Sequence, residues 1–173
     1  MPLILPYNGV LPRIHPTAFI AENAVVIGDV EIGPESSIWY GCVVRGDVNV
    51  IRIGARTNIQ DATIIHVAAK GQGTFIGDDI TVGHMAVLHA CTLESDCFIG
   101  MKACVMDGAY VESRAMVAAG ALVTPGKRVT TGELWAGSPA KPSRPLRDAE
   151  IAYFPESAAH YAALAAQYRA AAQ

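Results

Sequence analysis

The chain has 173 residues, 17% of them charged and 51% hydrophobic, with a formal net charge of −3. That length suits one domain of ordinary size, and the composition is that of a folded chain, not a disordered one. No basic run offers a surface for nucleic acid or anionic membrane, and no stretch of about 18 apolar residues could span a bilayer. In chain order, the first segment is MPLILPYNGVLPRIHP. It is apolar, short and broken by proline, without a basic leader, so it reads as a cover over the start of the fold and not as a signal peptide. The four cysteines, Cys42, Cys91, Cys97 and Cys104, form no CxxC pair. Free thiols in a reducing, cytoplasmic setting are expected.

From Ile20 the chain acquires a period. Ile20, Val26, Ile32, Ile38 and Val44 are spaced by six, and Ile53, Ile59 and Ile65 continue. Ile76, Val82 and Leu88 follow, then Leu93, Ile99, Val105, Val111, Val117 and Val123. Small residues stand two before many of these slots, among them Ala24, Ser36, Cys42, Ala86, Cys91, Cys97, Ala103, Ala109 and Ala115. Neither a helical period nor simple alternation gives a step of six. A hexapeptide repeat marks a parallel β-helix, an all-β solenoid in which six residues make one flat side and about eighteen make a coil. The aliphatic slot points inward and stacks on its equivalent about 4.8 Å away in the next coil. Glycine often follows the slot directly, as at Gly33, Gly54, Gly77, Gly83 and Gly100, or stands one further on, as at Gly28, and is expected there for corners with unusual backbone angles. Cys42, Cys91 and Cys97 fall on the small interior position and read as core packing.

The repeat is expected to span about residues 15–124. The Pro- and Gly-rich stretch 125–147 reads as an extended exit segment. Residues 148–172 read as a helix capped at Asp148 or Ser157, which Pro155 interrupts or restarts. Tyr161, Leu164, Ala165 and Tyr168 share one face, which should pack along the outside of a coil.

Three of the five histidines lie between residues 57 and 89. Slot Ile65 is followed by slot Ile76, a step of eleven, so five residues are looped out. His66 and His89 each lie one past a slot, and their separation of 23 is one coil plus that loop. They therefore occupy the same position on adjacent coils, roughly 5 Å apart at Cα. Two imidazoles so placed are arranged to share a metal ion. His84 lies two past Val82, on the preceding side of the triangle, and reaches such a site only from a neighbouring subunit around a threefold axis. Three neutral imidazoles with an open fourth position suit Zn²⁺, and Co²⁺ or Fe²⁺ fits the same set.

RGD at 45–47, NIQD at 58–61, His66 and GHMAVLH at 83–89, with IGMKACVMDGA at 99–109 and GSPAK at 137–141, are together similar to the γ-class carbonic anhydrases of the bacterial hexapeptide-repeat superfamily. The resemblance covers nearly the whole chain. It implies a left-handed β-helix, a homotrimer, and one metal at each of three interfaces held by His66, His84 and His89. The activity it implies is reversible hydration of carbon dioxide to bicarbonate by a metal-bound hydroxide. Gln60 matches the residue that orients that hydroxide, and Asn58 and Asp61 match its supports. Arg45 and Asp47 match an intersubunit ion pair, which either orients bicarbonate or only stabilises the trimer. Tyr161 resembles a tyrosine that approaches the metal or simply packs its helix. The sequence departs from efficient relatives in two places. Val48 follows Asp47, and the loop after His66 reads VAAKGQG, where those relatives carry proton-shuttling glutamates. A thioesterase or acyltransferase of the same superfamily and a non-catalytic metal-binding trimer stay open as alternatives.

Overall fold

Six residues fold as one short strand and one corner. Along a strand, alternate side chains point to opposite faces, so the slot and the small residue two before it both point inward. Val82 and Ile80, Leu88 and Ala86, and Ile99 and Cys97 are all fully buried. In the computed structural model, which describes residues 1–171, these units wind into a left-handed parallel β-solenoid of about seven turns followed by one helix, Asp148–Ala171.

The coil has three faces. The first carries the starts of Val25–Ile32 and Val43–Ile53, then Ile64–His66, Val87–His89, Cys104–Val105 and Leu122–Val123. The second carries the ends of the two long strands, then Thr74–Ile76, Thr92–Leu93, Tyr110–Val111 and Arg128–Val129. The third runs from Phe19–Ile20 through Ser37–Ile38, Asn58–Ile59, Thr81–Val82, Phe98–Ile99 and Met116–Val117 to Glu133–Gly137. On the first face Val26, Val44, Ile65, Leu88, Val105 and Val123 stack in one column.

The repeat extends further than the sequence spacing suggests. Val129 and Trp135 are buried slots paired with Val111 and Val117, so Arg128–Val129 and Glu133–Gly137 belong to the coil. Only Ala140–Pro145 leaves it, folding back antiparallel on Glu133–Gly137 as a closing hairpin. At the other end Leu3–Leu5 and Arg13–Ile14 pair with Val25–Ile32, so the N-terminal segment covers the first coil as expected.

Gly28 has the unusual backbone angle expected, with φ +77°, but the other glycines named have a different cause. Gly33, Gly54, Gly77, Gly83 and Gly100 do not have positive φ. They are glycines because the next coil lies directly against them. A Cβ on Gly83 would meet the Met101 nitrogen at 2.6 Å, and one on Gly100 the Ala119 nitrogen at 2.4 Å. The left-handed corners fall to Glu35, Arg56, Ala62, Asp79, Met85, Ala90, Asp96, Lys102 and Arg114, and to glycines off the slot register, Gly41, Gly108, Gly120, Gly126 and Gly132.

Two insertions mark the first-to-second corner. One is the loop after His66. The other is a three-residue bulge at 47–49, visible where register shifts between Gly28 opposite Gly46 and Val30 opposite Ile51. Both lie beside the candidate site.

The C-terminal helix packs on the third face of its own coil through Phe154, Ser157, Ala158 and Ala165, with Tyr161 and Leu164 partly covered. Trp39 anchors it, with ring centroids 5.2 Å from Tyr168 and 5.7 Å from Tyr161. Neither expected cap serves. Arg147 is the N-cap: its carbonyl accepts from Glu150 and Ile151, and the Glu150 carboxylate accepts from its N–H at 2.9 Å. Ser157 is buried in mid-helix. Pro155 does not break the helix. It lies on the exposed side, where water can satisfy the carbonyl it leaves unpaired, while Phe154 and Ser157 hold the inner side. Residue 172 lies outside the described residues.

Candidate metal centre

The parallel ladder sets His66 opposite His89 at the end of the first face. The His66 Nδ1 and His89 Nε2 atoms stand 3.2 Å apart. The bulge at 47–49 brings Asp47 beneath this pair, and its Oδ1 accepts from His66 Nε2 at 3.0 Å. Asp47 also pairs with Arg45 of its own strand and accepts from the Val48 N–H at 2.8 Å. Burial opposes ionisation of Asp47, but the hydrogen bonds from His66, Arg45 and Val48 outweigh it and hold the carboxyl below its ordinary range.

His89 turns its Nδ1 toward Asp107, 2.6 Å from Oδ1. The loop after His66 is fastened on both sides. Asn49 Nδ2 donates to the Ala68 and Gly71 carbonyls, both at 3.2 Å, and Thr74 donates to the His66 carbonyl at 2.6 Å.

The remaining site residues gather elsewhere, at the corner between the third and first faces. His84 Nδ1 lies 2.8 Å from Asp61 Oδ2, and Asp61 also accepts from the Tyr40 N–H. Asn58 and Gln60 lie buried beside them under the C-terminal helix. The Gln60 amide donates to Asn58 Oδ1 at 3.1 Å, Asn58 donates to Thr81 Oγ1 at 2.9 Å, and Thr81 shares a 2.8 Å hydrogen bond with Ser157. This chain fixes the Gln60 amide, and among the described residues its Oε1 accepts no hydrogen bond. Tyr161 packs on Trp39 from the helix. Burial, then the nearby Asp61, raises its phenol above the ordinary value, so it stays protonated.

The predicted residues therefore form two groups: Arg45, Asp47, His66 and His89 at one edge of the first face, and Asn58, Gln60, Asp61, His84 and Tyr161 at the other. His84 and His89 are five residues apart along extended chain, on the order of 15 Å. Among the described residues, no three metal-ligating side chains converge. Asp107, Asn49 and Thr74 were not singled out from sequence, and Ser157 was read only as a helix cap. Only Asp107 carried a signal, standing almost level with His89 one coil on.

The pair fits a metal. If each ring donates one N–H to its aspartate, the two facing nitrogens are both acceptors, and two lone pairs at 3.2 Å repel unless a cation lies between them. Two nitrogens bound at 2.0–2.1 Å to a tetrahedral zinc stand about 3.3 Å apart. A carboxylate behind each imidazole is the usual support of a metal-binding histidine.

The fold and these histidines define a hexapeptide-repeat protein, and comparison agrees. Residues 11–46 match the family described as bacterial transferase hexapeptide (six repeats). The chain is 54% identical over 159 residues to γ carbonic anhydrase 2, mitochondrial, of Arabidopsis thaliana, covering 89% of this chain and 57% of that protein. It is 42% identical over 165 residues to protein YrdA of Escherichia coli, covering 92% of this chain and 90% of that one. A hexapeptide transferase family protein from Anaplasma phagocytophilum superposes with a TM-score of 0.93 at 51% identity, covering 96% of this chain and 98% of that one. The chain belongs to the γ-carbonic-anhydrase-like group of the hexapeptide-repeat superfamily. It spans about three fifths of the length of the first Arabidopsis relatives, 57% and 60%. Among the described residues, no helix is long and apolar enough to cross a membrane.

Proposed function

We propose that three copies of this chain associate around a threefold axis and hydrate carbon dioxide reversibly to bicarbonate at three zinc sites, each shared by two subunits. The observation that carries this reading is the division of one ligand set into two complementary half-sites at opposite edges of one face. That face is apolar where it meets solvent. Ile64 is 38% exposed, Val87 37%, Met85 54% and Met101 55%, a row that a neighbouring copy would cover. Such packing would set the His84 edge of one subunit against the His66–His89 edge of the next. The Arabidopsis relatives bear the name γ carbonic anhydrase, which supports the reaction class.

His66 and His89 of one chain, with the equivalent of His84 from the next, would hold the metal. Zinc there would supply a Lewis acid that brings the pKa of water to about 7. The chain's own groups do the rest. Asp47, Asp61 and Asp107 hold the three imidazoles in fixed orientations. Gln60 presents a fixed acceptor to a hydroxyl proton. Arg45, half exposed beside Asp47, offers the remaining guanidinium donors to a planar anion such as bicarbonate. Val48 and the loop at 67–73 supply no carboxylate, so proton removal falls to buffer. Co²⁺ or Fe²⁺ would fit the same ligands. Three deeply buried free thiols suit a reducing compartment such as the cytoplasm.

The test is stopped-flow hydration of carbon dioxide on zinc-reconstituted protein beside a His84→Ala control. Metal-dependent hydration that is lost in the control and rises with buffer concentration is expected. No hydration despite stoichiometric zinc and an intact trimer would overturn the reading and direct attention to thioester substrates.

A further inference from the structure

Asp47 and Asp61 belong to the motifs that pointed to the site. Asp107 lies in the IGMKACVMDGA segment, from which no site residue was read, yet it makes the shortest of the three aspartate–histidine contacts, 2.6 Å against 2.8 and 3.0 Å. Its position is built, not incidental. Residues Met106 to Ala109 form a turn closed by the Ala109 N–H donating to the Met106 carbonyl at 3.0 Å. Gly108 sits at the third position with φ +68°, as a type II turn requires. The turn is clamped from both neighbouring coils. The Gly108 N–H donates to the Ala90 carbonyl at 2.7 Å, and the Gly126 N–H to the Asp107 carbonyl at 2.9 Å. Ala90 follows His89 directly. The backbone that carries Asp107 is therefore tied to the backbone that carries His89. Among the described residues, the Asp107 carboxylate has no other hydrogen-bond partner.

We infer that Asp107 is the positioning residue for His89: it holds the ring as the Nδ1–H tautomer and so aims the Nε2 lone pair at His66. The inference rests on the proposed metal-binding reading for its purpose, but not for its geometry. An ionised carboxylate only accepts hydrogen bonds, so the proton must lie on the nitrogen facing it. The histidine pair is then held from both ends of the coil axis, by Asp47 from below and Asp107 from above.

The experiment has two readouts on intact trimers of wild type, Asp107→Ala and Asp107→Asn. The first is long-range ¹H–¹⁵N correlation NMR of the metal-free protein, with His89 assigned by the signals lost in His89→Gln. Wild type is expected to show His89 as the Nδ1–H tautomer, and Asp107→Ala to lose that preference. The second is zinc affinity by competition with a chromogenic chelator. Asp107→Ala is expected to bind zinc about 10- to 100-fold more weakly. Asp107→Asn keeps a carbonyl acceptor, so it should recover part of both readouts, and it serves as the test if the alanine variant does not fold. A wild-type His89 protonated at Nε2 would overturn the inference. So would an Asp107→Ala trimer that keeps the tautomer and binds zinc within about twofold of wild type. The expected tautomers without zinc binding by any of the three proteins would uphold the positioning role and refute the metal reading instead.

Discussion

If the site is shared, two inactive chains must repair one another. His84→Ala keeps the His66–His89 edge and loses the other. His66→Ala/His89→Ala keeps His84 and loses the pair. Neither forms a complete ligand set with itself. In mixed trimers an interface is complete only where a His84→Ala chain offers its pair to the His84 of a double-variant chain. With equal, random mixing each partner is of the required kind about half the time, so about one quarter of the interfaces are complete in any closed ring. The assay is co-refolding of the two variants, isolation of the trimer, and measurement of bound zinc and of carbon dioxide hydration. Both should reach about a quarter of wild type, against near zero for each variant alone. No recovery in a verified mixed trimer would refute the division of the ligand set between chains, and full zinc retention by either variant alone would refute the ligand assignment.

Gly100→Ala should destabilise the fold by about 2–3 kcal/mol in urea unfolding, because its Cβ would press on the backbone of Ala118 and Ala119; a loss under about 0.5 kcal/mol would show that adjacent coils yield easily. Burial pushes the Cys42 and Cys91 thiols up to about 12. At pH 8 Cys42, Cys91 and Cys97 of the folded protein should therefore resist alkylation by iodoacetamide, with mass spectrometry of tryptic peptides as the readout. Glu150, bonded to Arg144 and Arg147, has its carboxyl held well below the ordinary range, with those two hydrogen bonds as the main cause. A depressed folded pKa gives stability that is complete above the unfolded value near 4.3 and is lost as pH falls below it. The melting temperature of Glu150→Gln should accordingly lie below that of wild type at pH 7, and the gap should narrow in acid. An unchanging gap would assign the effect to packing instead.

The histidine pair was legible because a solenoid converts sequence distance into position. A separation of 23 reads as one coil plus a five-residue loop, and the ladder puts His66 opposite His89. The aliphatic column was legible for the same reason. The nine-residue step from Val44 to Ile53 held the bulge that carries Asp47, but spacing does not say which way a bulge turns its side chain. The grip of Asp107 on His89 depends on a turn clamped from two coils, so it appears only when the coils are stacked. Val129 and Trp135 were masked by a run of Pro and Gly that reads locally as an exit segment, although the inward column continues through them.

Local sequence determined the period, the inward column and the identity of the ligand-type residues, because each depends on contacts repeated every six residues. The tertiary structure decided the reason for the slot glycines, the course of the helix past Pro155, and the parting of the site residues to two edges of one face. Those features arise from how closely neighbouring coils approach and which face the helix covers. These are distances between segments, which no local pattern encodes.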